Sequence, residues 1–223
     1  YGSLLMDQIT RRIFNDETIP QDEKVYSVFE PYTEWICKGK AGVRQELGVK
    51  VCVVEDQFGF LLNHRVMHNE QDKDVAFGMA QKCKELFPQL ASMSFDKGFY
   101  SKPDKNGKNN STNIQEQLEL TPYLPAKGRL NKKRRETEST LEFGAARKQH
   151  PAVESAINAL ESHGLDRCPD KGEENYTRYV AMAITASNVH RIGALLMARE
   201  LEKERKKSRK SRKKRRQATK KAA

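Results

Sequence analysis

The sequence has no run of 18 consecutive apolar residues, so it offers no uninterrupted stretch to span a membrane. It opens with no charged–apolar–small secretory leader. Its four cysteines, Cys37, Cys52, Cys83 and Cys168, are far apart and form no C-x-x-C pair. That excludes a disulfide framework or a zinc-finger spacing and points to reduced thiols. No Gly-rich phosphate loop is present, so ATP use is not indicated. No Ser or Cys lies in a nucleophile elbow. His64 and His68 are four apart in a segment that reads as strand, a poor spacing for a shared zinc ion.

What is abundant is positive charge, and it is unevenly placed. The 223 residues carry a formal net charge of +11. From Lys203 onward there are 13 Lys/Arg against Glu204 alone, a net of +12. Residues 1–202 hold 28 basic and 29 acidic side chains, a net of −1. A near-neutral body therefore carries a basic tail, which attracts polyanions with an affinity that falls steeply with salt. The tail has no aromatic or base-reading residue, so sequence specificity is not expected to reside there. It is expected to be helical when bound and disordered when free. The chain begins at Tyr1 rather than Met, and an N-terminal part is expected to be missing.

Three regions are read: a connecting segment over 1–23, a catalytic domain over 24–202 and the tail over 203–223. Lys24–Glu30 (K-V-Y-S-V-F-E) reads as a strand stopped by Pro31. Gly48–Glu55 and Phe60–Met67 read as a hairpin across a four-residue connection. Asp72–Leu86 has Val75, Met79, Cys83 and Leu86 on one helical face. Leu90–Phe95 reads as a fourth strand, Ser101–Glu119 as a mobile loop or insertion, and Leu120–Pro125 as a short edge strand. Pro151 and Gly164 bracket a helix with Val153, Ile157 and Leu160 on one face. A long helix runs from Tyr176 to about Glu204. The order predicts an α/β fold with a mixed sheet flanked by helices.

Three carboxylates occupy positions where such folds place chemistry. Glu30 ends the first strand, Asp96 ends the fourth, and Glu154 lies in the first turn of a late helix. Strand ends in an open α/β sheet border the ligand crevice. Converging acids repel one another unless divalent cations lie between them, and hard oxygen ligands suit Mg²⁺ or Mn²⁺. Two such ions about 4 Å apart would clamp the attacking and leaving oxygens of a phosphodiester. Each acid also has a plain structural role: a strand terminus, a turn in Asp96-Lys97-Gly98, and a favourable charge at a helix N-terminus.

The surrounding residues carry a resemblance. Val28–Gly42 (V-F-E-P-Y-T-E-W-I-C-K-G-K-A-G), Ser94–Ser101 (S-F-D-K-G-F-Y-S), Leu124–Gly128 (L-P-A-K-G) and His150–Asp170 (H-P-A-V-E-S-A-I-N-A-L-E-S-H-G-L-D-R-C-P-D) resemble, in the same order, blocks of bacterial insertion-sequence transposases of the ISNCY-type group. The resemblance spans roughly Lys24–Ala198. It implies an RNase H-like fold and a DDE site binding two Mg²⁺ (or Mn²⁺) ions, with Glu30, Asp96 and Glu154 as first, second and third acids. It also implies terminal inverted repeats and target DNA as partners, a homo-oligomer in the active complex, and a cytoplasmic, nucleoid-associated location with no membrane.

Two departures stand out. Most of the wider superfamily has Asp where Glu30 stands; Asp56 is the substitute, though its place between two strands reads as a turn. Many relatives place Tyr, Arg and Lys at seven before, four before and seven after the third acid, where this chain has Arg147, His150 and Glu161. Arg147 and His150 can still meet phosphate; Glu161 cannot replace a lysine. Lys38 and Lys40 beside Trp35 are candidates for backbone contact and base stacking. Lys97 lies beside the second acid. Lys127, Arg129, Lys132, Lys133, Arg134 and Arg135 form a run that either contacts DNA or is a solvated charge cluster. The alternative to an active transposase is a truncated remnant that only binds DNA through these segments.

Overall fold

The computed structural model describes residues 2–37, 45–129 and 131–222, the side chains of Gln21, Lys133 and 212–222 excepted. The fold is mixed α/β, with more helix than strand, small sheets and a long C-terminal helix. In chain order the elements are α1 (Gly2–Ile9), β1 (Glu34–Cys37), β2 (Gln45–Gly48), β3 (Lys50–Glu55), β4 (Leu61–Met67), α2 (Asp72–Leu86), β5 (Ser92–Ser94), α3 (Asn110–Leu118), β6 (Thr121–Tyr123), α4 (Lys132–Glu138), α5 (Leu141–Gln149), α6 (Pro151–Leu160) and α7 (Glu173–Ala222). Instead of one mixed sheet, the described strands form three pairs: β1–β2 and β3–β4 antiparallel, β5–β6 parallel.

The β3–β4 hairpin is the middle layer. Strand alternation sends Cys52 and Met67 to one face, where they pack on Val75 and Met79 of α2. Val51 and Val53 go to the other face, against Leu160 of α6 and Val180 and Ile184 of α7. A register shift between Val54 and Glu55 pairs Val54 with Asn63 and Glu55 with Leu61. This irregularity turns Leu61 into the α6/α7 layer while Asn63 faces Met79 of α2. A third cluster joins Ala76 and Ala80 of α2 to Phe95, Ile114, Leu120 and Leu124, and so fixes β5, α3 and β6.

Four sequence readings change. Lys24–Glu30 is not a strand: both backbone groups of Val25 are taken by the Gln8 side chain, its N–H donating to Oε1 at 2.7 Å. Pairing begins after Pro31 instead, and Tyr26 packs on Trp35 with ring centroids 5.6 Å apart. The supposed loop 101–119 contains α3, closed by an Asn109 cap that accepts the Thr112 N–H at 3.0 Å and anchored by fully buried Ile114. Leu86 and Ile157 face water although their spacing puts them on the apolar stripes.

The fourth concerns α7. The helix contains an 18-residue window of mean hydropathy 1.3, long and apolar enough by length and composition to cross a membrane. Consecutive-run counting misses it because Ser187, Asn188, His190 and Arg191 interrupt the apolar residues.

Candidate active site around His150

Asp96 lies two residues past β5 and opens the single helical turn Lys97–Phe99. β5 is short, yet its end is fixed from several sides. Arg147 of α5 donates from a guanidinium nitrogen to the Phe95 carbonyl at 2.8 Å. The Ser94 hydroxyl and His150 Nδ1 share a hydrogen bond of 3.3 Å. Lys127 Nζ donates to the Gly98 carbonyl at 3.4 Å. A side-chain carbon at position 98 would lie 2.5 Å from Asp72 Oδ2, so glycine lets the start of α2 press against the turn.

His150 joins α5 to α6 with helical backbone angles, and Pro151 takes the first position of α6, where a missing N–H costs nothing. Glu154 follows one turn later on the same helix, so His150 and Glu154 share a face. The charges of Asp96 and Glu154 both act on the His150 ring and pull its pKa upward. Burial and the neighbouring Arg147 cation outweigh them and hold the imidazole below its usual range. The ring thus shares a hydrogen bond with the Ser94 hydroxyl and lies within electrostatic reach of two carboxylates and a guanidinium. Neither carboxylate makes a hydrogen bond or ion pair with the described residues, and Asp96 is exposed.

Glu30 lies elsewhere. Its carboxylate accepts the Gly172 N–H, at 3.1 Å to Oε2 and 3.4 Å to Oε1, just before α7 begins. Burial, then a hydrogen bond to Glu30, push the Tyr32 phenol above its ordinary pKa. Tyr32 also packs against His68 and Tyr176, and His68 meets Glu173 at 3.3 Å. Among the described residues no three His, Cys, Asp or Glu side chains are grouped to hold a metal ion. As oxygen donors for Mg²⁺ or Mn²⁺, Asp96 and Glu154 are chemically apt and uncommitted, whereas Glu30 is held at Gly172. Asp56 is a turn residue: its Oδ1 accepts the N–H groups of Phe58 and Phe60 at 2.8 and 2.9 Å.

The basic candidates divide. Lys97 and Lys127 are exposed beside the Asp96 turn, and Arg129, Lys132 and Arg135 face water. Arg134 is engaged internally, donating to Glu138 at 3.0 Å and to the Leu124 carbonyl, while Glu138 accepts the Ala126 N–H. Lys38 and Lys40 lie outside the described residues, as does the side chain of Lys133. Trp35 is partly exposed but stacked on Tyr26.

Sequence reading missed Ser94, Asp72 and Asn110. Asn110 Nδ2 donates to the Lys73 carbonyl at 2.6 Å and the Phe99 carbonyl at 2.9 Å, tying α2 to the turn after Asp96. Its position directly after the Asn109 cap is the only local signal it gives. Comparisons with family models, with curated proteins and with solved structures return no match for this chain.

Proposed function

We propose that this chain is the catalytic part of a DDE-type transposase that cuts DNA at transposon ends and joins the freed 3′-OH to target DNA. The observation that carries the reading is that Asp96 and Glu154, 58 positions apart, are both tied to His150, one through the Ser94 hydrogen bond and the other through the first turn of α6, while their carboxylates make no hydrogen bond or ion pair among the described residues. An RNase H-like arrangement is part of the proposal, with β5 delivering the second acid and α6 the third.

Asp96 and Glu154 would hold Mg²⁺ or Mn²⁺, which supplies charge neutralisation and an activated oxygen nucleophile when bound. Glu30 would have to leave the Gly172 N–H to complete the set. The chain's own groups supply the rest. Lys97 and Lys127 present cations to phosphates beside Asp96, and the exposed basic residues of the 127–135 run and of the tail extend that surface. Arg147 fixes the backbone that carries Asp96. His150 is tied by its hydrogen bond with Ser94 to the strand end that carries Asp96. Positioning and electrostatics then account for most of the rate, with no protein nucleophile required.

The test is Mg²⁺-dependent nicking of inverted-repeat DNA by the chain. Asp96→Asn and Glu154→Gln should each reduce nicking to background while leaving DNA affinity intact. Full activity in either variant sinks the proposal.

One observation favours a second reading, a remnant that binds DNA without cutting it: Glu30 is hydrogen-bonded away from any metal-sized cluster. Salt-dependent DNA binding with no nicking in either Mg²⁺ or Mn²⁺ would select it.

A further inference from the structure

Helix α7 presents two different faces. One carries Val180 and Ile184 into the core. Asn188 and Arg191 continue that face, binding the backbone of Leu61 and Phe58. The opposite face carries Met182, Ala186, Val189, Gly193 and Leu196, with Ile192 on its flank beside Asn188. Its three large members, Met182, Val189 and Leu196, are 70%, 62% and 53% exposed. Met182, Val189 and Leu196 recur every seven residues, with Ile192 in the adjoining row, the spacing of a helix–helix seam.

We infer that this stripe pairs with the same stripe of a second copy of the chain, antiparallel, about a two-fold axis at Val189. The seam is symmetric about that residue. Met182 and Leu196 lie seven positions to either side, and Arg178 and Glu200 lie eleven. In an antiparallel pair, Val189 meets Val189, Met182 meets Leu196, and Arg178 of each copy meets Glu200 of the other. The two ion pairs stand about 33 Å apart at the ends of an apolar strip, from 22 residues at about 1.5 Å each. Such an isologous contact closes on itself as a dimer.

Charge also chooses the direction. Parallel pairing would lay two tails of net +12 side by side, with strong repulsion. Antiparallel pairing sends them to opposite ends. Arg178 now leans on Glu174 at 3.4 Å, with both side chains largely in water; an exposed pair of that kind is readily exchanged. A bilayer is the less fitting occupant, because the opposite face of the same segment is packed on the body and includes Asn188 and Arg191. Small residues at Ala186 and Gly193 let the two helices approach closely.

Sedimentation equilibrium of the full chain at high salt, which keeps polyanions off the tail, should show a reversible dimer. Arg178→Glu and Glu200→Arg should each weaken it about tenfold, since two exposed attractions become two repulsions. The double variant should recover the parent affinity. Under mild oxidation Val189→Cys should cross-link to itself, whereas Met182→Cys should cross-link only when mixed with Leu196→Cys. A monomer at all concentrations overturns the inference. So does equal self-cross-linking of Met182→Cys and Val189→Cys, the mark of a parallel seam. Flotation of the chain with phosphatidylcholine vesicles, without a dimer in solution, would assign the stripe to lipid instead.

Discussion

Arg147 holds the carbonyl of Phe95 at 2.8 Å, one residue before Asp96. A side chain that the sequence offers as a phosphate contact is thus spent on the backbone next to Asp96. Arg147→Ala removes a charged donor from a carbonyl in a buried strand end. The expected loss is about 1.5–3 kcal/mol in urea unfolding. If Arg147 acts through Phe95, the salt dependence of DNA binding stays as in the parent chain. A slope reduced by about one would show a phosphate contact instead.

Asn188 grips Leu61 by both main-chain groups, accepting its N–H at 2.8 Å and donating to its carbonyl at 2.9 Å. Leu61 is turned toward α7 by the irregularity in β4 and is itself buried. Asn188→Ala is expected to cost about 2–3 kcal/mol, since two buried polar groups lose their partner. Asn188→Asp keeps the acceptor and loses the donor, so it should fall between parent and alanine. Equal stability of all three would mean that the hairpin does not depend on α7.

Gly98 and Asp72 are coupled by space. A methyl group at 98 would meet Asp72 Oδ2 at 2.5 Å. Gly98→Ala should therefore cost no more than about 1 kcal/mol, because the Asp72 carboxylate it meets can turn aside. Asp72→Ala in the same chain should return part of that loss. A double-mutant cycle with no coupling energy would contradict the contact.

The local rules that worked are those carried by neighbouring residues. Helix α2 has the bounds its apolar spacing gives, and α6 begins at Pro151 and ends before Gly164, whose φ of +107° suits glycine. What failed depended on distant partners. V-Y-S-V-F has strand composition, but Gln8 satisfies Val25 and so removes it from any ladder. Helix α3 has few apolar residues, and its stability comes from Ile114 entering a core built by α2 and β6.

The site divides in the same way. The DKG turn and the Pro151 helix were legible, and with them the places of Asp96 and Glu154 in the fold. That these two bear on one histidine follows from α5 packing on β6, through Phe143 against Tyr123, and on β5 through Arg147. No spacing in the chain encodes that meeting. Nor does any motif tell that Glu30 rests on Gly172, 142 positions away.

His150 supplies a pH signature whose sign is fixed by its surroundings. Burial and Arg147 depress its folded-state pKa, and Asp96 and Glu154 offset only part of that. The unfolded chain protonates this imidazole near about 6.5. Between that value and the lower folded one, the unfolded state binds more protons, so stability falls as pH falls. Above the unfolded value the contribution is fully present; below the folded value the loss is complete. His64 acts in the same direction through burial and Lys82. The urea midpoint should therefore drop between about pH 8 and about pH 5, with a smaller drop in His150→Gln and the smallest in the double variant with His64→Gln. Carboxylates paired with Arg11 and Arg65 have lowered pKa values and lose stability only at more acid pH, outside that window. An unchanged slope in His150→Gln would show that the ring is not held neutral between Arg147 and the two acids.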